Sequence, residues 1–193
     1  VFIQGVHAQL LDRPQILLDD CRGAYLATRY LIELGHRRIV GVFKSDDTQG
    51  QQRHKGYVQA LQEAGIAYDP DKVIWFYTED RKIHPYEGIQ NIAKNKELDA
   101  VVCYNDQNAM GVIRALEALD LKIPDDVSVT GYDNFYMANQ SDFRLTSIAH
   151  PQEKLGEMAA ELLLDLVVNG ENSEKQKIMI EPELVEGTSC KRR

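Results

Sequence analysis

The chain has 193 residues, 44% hydrophobic and 27% charged, a balance usual for a globular protein and sufficient for one large domain or two small lobes. A formal charge of -8 and a pI near 5.1 argue against direct nucleic-acid binding, since the only basic clusters are His36-Arg37-Arg38 and Lys191-Arg192-Arg193. No apolar run approaches the ~20 residues of a membrane-spanning helix, and no signal peptide is recognised.

Three cysteines, Cys21, Cys103 and Cys190, fit neither a disulfide framework nor zinc spacing, so reduced thiols in a cytoplasmic protein are expected. The sequence opens at Val1 on strand-like residues and without Met, which suggests a piece of a longer protein.

Taken in order, Val1 to Ile3 and Ile16 to Leu18 read as two short strands. Asp19 or Asp20 offers an N-cap for a helix from Cys21 to Leu34, with Ala24, Ala27, Leu31 and Leu34 on one face and Gly35 as its stop. Ile39 to Phe43 is a strand, and Lys44 to Gln52 a polar loop. Arg53 opens a helix carrying Tyr57, Leu61 and Ala64 and ending at Gly65. Val73 to Tyr77 is strand-like, and Ile89, Ile92 and Ala93 mark another helix.

Ala100 to Tyr104 is a strand, followed by a helix with Met110, Ile113, Leu116 and Leu119. Pro124, Asp125 and Asp126 close that segment. Val127 to Thr130 then reads as a core strand, with Gly131 turning the chain at its end. Leu145 to Ile148 is a strand, and Pro151 starts a long helix with Leu155, Ala159, Leu162 and Leu166 along one stripe and Gly170 as its stop. Ile178 to Ile180 and Leu184 to Val185 close the chain. Alternating strands and helices predict an α/β fold, a parallel sheet with helices on both faces.

Catalytic signatures are missing: there is no phosphate-binding loop, no nucleophile elbow and no His-Glu-x-x-His. The five histidines have no metal-ligand spacing. What recurs is a strand ending in polar groups. Lys44, Asp46 and Arg53 follow one strand, Asn105 and Asp106 another, Asp133 and Asn134 a third, and His150 a fourth.

Ligands bind at such carboxyl ends in open α/β sheets. A carboxylate accepts from two adjacent hydroxyls and an Arg or Asn spans neighbouring oxygens, so a sugar suits the set. Tyr77, Tyr86 or Tyr104 would then cover an apolar sugar face. The same residues also serve as helix caps and turns, and tyrosines as core. The residues alone leave both readings open, with Asp106 taken as a cap and Asp133 evenly divided.

The run from Tyr30 to Ile39 (Tyr-Leu-Ile-Glu-Leu-Gly-His-Arg-Arg-Ile) resembles the lactose-repressor/galactose-repressor family. So do Arg53-x-x-Gly-Tyr57, Asn105-Asp106-x-x-Ala109-Met110-Gly111, Ile123 to Asp133, Leu145-Thr-Ser-Ile148 with Pro151, and Pro182-Glu-Leu-Val185. The resemblance runs from Ile16 to Ser189. It implies a periplasmic-binding-protein-like type I fold, with two hinged lobes around a cleft for a sugar or purine, a homodimer, and operator DNA bound through a separate N-terminal head. No enzyme activity, cofactor, metal or membrane partner is implied.

On that layout residues 1–19 are a remnant of the first lobe, 20–149 the second lobe, 150–181 a return to the first, and 182–193 a return to the second. Gly41 to Gly50, Cys103 to Asp106 and Ile148 to Pro151 further resemble the arabinose-responsive members of Gram-positive bacteria, which carry a GntR-type head. That points to L-arabinose as effector. Arg53, Asn105 and Asp133 match the family's effector contacts. His150 stands where many relatives have Gln, Lys44 and Asp46 lie on the cleft loop, and Gln4 matches a first-lobe contact. A periplasmic-type transport protein is the alternative, and an α/β enzyme a weaker one.

Overall fold

A computed structural model describes residues 2–3, 14–95, 98–135, 143–169 and 177–193. Strand β1 (Phe2–Ile3) pairs in parallel with β2 (Gln15–Leu18), and β2 pairs with β8 (Lys177–Ile180) to form a small sheet. The larger sheet has the order β4-β3-β5-β6-β7-β9. Its members are β3 (Ile39–Lys44), β4 (Val73–Phe76), β5 (Ala100–Cys103), β6 (Ser128–Asp133), β7 (Thr146–Ala149) and β9 (Glu183–Val185). All its pairings are parallel except that of β9, which runs antiparallel to β7 along the edge.

The helices are α1 (Asp20–Glu33), α2 (Thr48–Glu63), α3 (His84–Lys94), α4 (Asp106–Glu117) and α5 (Gln152–Asn169). Side chains alternate across each strand. Val40 and Val42 of β3, with Val101 and Cys103 of β5, join Ile89, Ala109, Val112 and Leu116 of α3 and α4. Ile39 and Phe43, with Ala100 and Val102, meet Leu31, Tyr57 and Leu61 of α1 and α2 on the opposite face. A third cluster brings Leu155 and Leu162 of α5 onto Ile16, Leu18 and Ile180 of the small sheet. Each of the buried Val, Leu, Ile and Phe side chains among these contributes about 1.5–3 kcal/mol. That sum, not the polar contacts, holds the sheets and helices together.

Local signals fix the ends. Gly35 (φ 98°) and Gly65 (φ 67°) terminate α1 and α2 with matching bonds, His36 N to Leu31 O and Ile66 N to Leu61 O. At the outer strand β4, Trp75 packs against Phe43 and against the His54 ring, whose centroid is 4.8 Å away. The chain passes between the sheets at 18–20, 149–152 and 180–183, and Asp19 N donates to Ile180 O to tie the first and third passes (3.1 Å).

Two readings of the sequence are corrected. Helix α2 starts at Thr48, not Arg53, because the Asp47 carboxylate accepts from Gly50 N at 2.7 Å and caps it. Gly131 is not a turn; it lies within β6 opposite Ser147. Its missing side chain is needed for space, since a Cβ there would sit 2.1 Å from Asp106 Oδ1. The stop expected at Gly170 lies outside the described residues.

Candidate functional site

The carboxyl ends of β5, β6 and β7 open onto a cavity of about 720 Å³. Arg53 from α2, Asn105 after β5, Asp133 ending β6 and His150 after β7 all line it. Four of the residues singled out in the sequence therefore meet on one wall system although they are up to 97 positions apart.

Arg53 is the centre of this wall. Its residue is only 3% exposed, and its Nε donates to Asp20 Oδ1 at 2.9 Å. Nη2 lies 2.8 Å from the same oxygen, and Nη1 donates to Tyr104 O at 2.5 Å. The guanidinium also lies 3.5 Å from the Tyr132 ring centroid and 4.7 Å from that of Tyr104. Burial pushes its pKa down, but Asp20 first, then Tyr132 and Asp133, outweigh it and hold the group above its ordinary value. Of five guanidinium N–H groups, two remain for the cavity, one on each terminal nitrogen.

Asp133 Oδ1 stands 4.0 Å from Arg53 Nη2. That is too long for a direct hydrogen bond. A hydroxyl oxygen placed about 2.8 Å from each atom would see them at an angle of roughly 90°, near tetrahedral geometry. The gap therefore fits one hydroxyl that accepts from Arg53 and donates to Asp133. Burial raises the Asp133 pKa, and the charges of Arg53 and His150 oppose that rise.

Asn105 caps α4: its Oδ1 accepts from Asn108 N at 2.9 Å, which leaves the amide NH2 for the cavity. The cap expected at Asp106 is thus made by its neighbour. Asp106 is itself a lining residue of the cavity, yet only 2% exposed, and it accepts from Ser147 Oγ and from Phe135 N, each at 2.6 Å.

Lys44 and Asp46 are not among the cavity's lining residues. Lys44 Nζ lies 3.0 Å from Asp47 Oδ2, which also accepts from Tyr104 OH at 2.8 Å, so Lys44 reaches the site only through that chain. Asp46 Oδ2 accepts from the amide and hydroxyl of Thr78. Gln4 lies outside the described residues.

Of the three tyrosines considered for a sugar face, Tyr104 lines the cavity, Tyr86 packs on the core and Tyr77 is exposed. Sequence reasoning missed Asp20, Gln49, Phe135, Arg114 and Gln152. Asp20 was read as a possible cap, a task that Asp19 performs by accepting from Arg22 N. Its position at the end of β2 was the signal that could have exposed it.

This geometry, parallel strands whose carboxyl ends gather polar side chains around a cavity beside three crossings between two sheets, defines a ligand-binding α/β domain. Residues 28–190 match the family model described as "Periplasmic binding protein-like domain". The chain is 36% identical over 192 residues to an arabinose metabolism transcriptional repressor of Halalkalibacterium halodurans, covering 96% of this chain and 51% of that protein. It is 41% identical over 182 residues to the transcriptional repressor PurR of Photorhabdus laumondii, covering 92% of this chain and 52% of that one.

Among solved structures, a LacI family regulator from Enterococcus faecium with bound ribose superposes with a TM-score of 0.80 at 30% identity, covering 94% of this chain and 67% of that one. The chain belongs to the periplasmic binding protein-like domains of LacI-family regulators. It spans about half the length of the curated relatives it matches (51% and 52%), and those relatives carry the names of transcriptional repressors, not of enzymes.

Proposed function

We propose that the chain is the effector-binding part of a transcriptional repressor and that its effector is a sugar, L-arabinose first among candidates. The observation that carries this reading is the Arg53–Asp133 gap of 4.0 Å on the wall of the cavity, sized for a shared hydroxyl. Asn105 and His150 add polar groups on the same wall, and the Tyr104 ring supplies an apolar face. The repressors of arabinose metabolism among the relatives favour the pentose.

In this reading residues 1–19 and 150–181 belong to a first lobe, and 20–149 with 182–193 to a second. The sugar bridges the lobes, and two copies of the protein act as a homodimer. The preferred closure angle passes to an N-terminal head on operator DNA, whose grip is thereby relieved. The sugar shifts that balance only by its unequal affinity for the two arrangements. Gln4 is assigned to the first-lobe side of the same site, and Lys44 and Asp46 to the loop that supports it from outside the lining, Lys44 through Asp47 and Tyr104.

Calorimetric titration of the natural full-length protein with L-arabinose, D-ribose, cellobiose and a purine base tests the reading. The similarity to PurR makes the base a necessary arm. Saturable binding of L-arabinose that is lost in Asp133→Ala is expected. Binding of the purine base alone would overturn the sugar assignment.

A further inference from the structure

Two consecutive residues at the cavity, Asp133 (φ 99°) and Asn134 (φ 49°), have left-handed backbones without being glycine. Such conformations persist only where the surroundings over-determine them. Here the surroundings are one carboxylate and one hydroxyl. Asp106 Oδ2 accepts from Phe135 N at 2.6 Å and Oδ1 accepts from Ser147 Oγ at 2.6 Å, while that Oγ accepts from Asn134 N at 3.0 Å. The bare backbone of Gly131 admits the carboxylate, since a Cβ there would meet Asp106 Oδ1 at 2.1 Å.

The fold gives this charge the dipole at the start of α4, but neither a capping task nor a counter-ion. Asn105 already caps α4, and among the described residues no cation lies within ion-pair distance of Asp106. Burying a carboxylate without a cation is costly. Burial pushes its pKa up to about 6, against the bonds from Ser147 and Phe135, and the nearby Asp133 charge adds to the rise. The other groups that face it are the buried Cys103 thiol on β5 and the neutral Ser147 on β7, with Arg53 and His150 acting on Asp133.

We propose that Asp106 is the positioning residue for Asp133, its carboxylate fixing through Phe135, Ser147 and Asn134 the turn that presents Asp133 to the ligand. The inference rests on the effector-site reading above. Asp106 needs no contact with the sugar. It sets the backbone from which the contacting carboxylate projects.

The test uses Asp106→Asn, Ser147→Ala and Asp133→Ala in the natural full-length protein, with two readouts. The first needs no ligand: amide hydrogen exchange at Asn134 and Phe135, corrected for intrinsic rate, should accelerate at least about tenfold in Asp106→Asn and Ser147→Ala. The second is L-arabinose affinity against pH. Wild-type affinity should fall as pH drops through about 6, because protonation removes the charge that strengthens the bonds Asp106 accepts from Phe135 N and Ser147 Oγ. That dependence should shrink in Asp106→Asn to the part that Asp133 contributes, and affinity at neutral pH should be about ten- to a hundredfold weaker.

Unchanged exchange in both variants, or an affinity profile of Asp106→Asn that superimposes on that of wild type at every pH, overturns the proposal. If Asp133→Ala loses L-arabinose while Asp106→Asn and Ser147→Ala bind as wild type, the site stands and the positioning role falls. If Asp133→Ala binds as wild type, the site reading falls. Exchange at the turn then still decides whether Asp106 shapes it.

Discussion

Removing one partner of the Asp20–Arg53 pair should have unequal consequences on its two sides. Asp20→Ala leaves the guanidinium of the buried Arg53 without the oxygen lying 2.9 Å and 2.8 Å from two of its nitrogens. What remains is Tyr104 O, two ring faces and Asp133 at 4.0 Å. Stranding a buried charge in this way costs about 3–5 kcal/mol. At roughly 2–4 °C per kcal/mol for a chain of this size, Tm should fall by about 6–20 °C.

Arg53→Met should cost less, about 1–3 kcal/mol. Asp20 sits in the first turn of α1, where the helix dipole favours its charge. For sugar binding the order inverts, because only Arg53 faces the cavity. Asp20→Asn keeps an acceptor and should fall between wild type and alanine in stability. Urea unfolding followed by circular dichroism measures each value. A loss below about 1 kcal/mol for Asp20→Ala, the worth of a solvent-exposed pair, would refute the reasoning. So would a loss no larger than that of Arg53→Met.

Three further outcomes are open to measurement. Asn105→Ser should retain the α4 cap and cost only a few tenths of a kcal/mol, whereas Asn105→Ala should cost about 0.5–2 kcal/mol; both should weaken sugar binding, separating cap from contact. Gly131→Ala should lower the urea midpoint by an amount equal to about 1–3 kcal/mol, since its methyl group meets Asp106 Oδ1 and Leu145 Cδ2 at 2.1 and 2.6 Å.

The folded-state pKa of Asp106 is raised from 3.8 to about 6, so its contribution to stability is fully present below the unfolded value and lost as pH rises through about 6. The stability of wild type relative to Asp106→Asn should therefore improve as pH falls from 7 to 5, read by chemical denaturation at each pH. A difference that stays flat, or moves the other way, would contradict that sign.

The elements were legible because their signals are local. Gly35 and Gly65 stop their helices through bonds made within a few residues, and the alternation in Ile39 to Phe43 needs only one strand. The start of α2 was obscured because Thr48 to Gln52 has no apolar stripe and is interrupted by Gly50, so the cap at Asp47 decides it. In the site, Arg53, Asn105, Asp133 and His150 were visible as polar residues after strands.

Asp20 was not, because its role depends on an arginine 33 positions away. The bond from Ser147 to Asp106 joins residues 41 apart, and nothing in either stretch announces it. Gly131 misled for the related reason that steric need from a distant carboxylate looks, in sequence, like a turn.

The cluster at β4 has an optical consequence. Trp75 is the only tryptophan in the sequence, and it packs against both Phe43 and His54 from the outer strand of the larger sheet, absent from the cavity's lining residues. Its emission at 295 nm excitation is therefore a reporter of that sheet's integrity and of His54 protonation, whose pKa burial lowers. Ligand occupancy leaves the fluorophore itself untouched. An intensity change on adding sugar at constant pH would mean that the movement had crossed β3 to reach the far edge of the sheet.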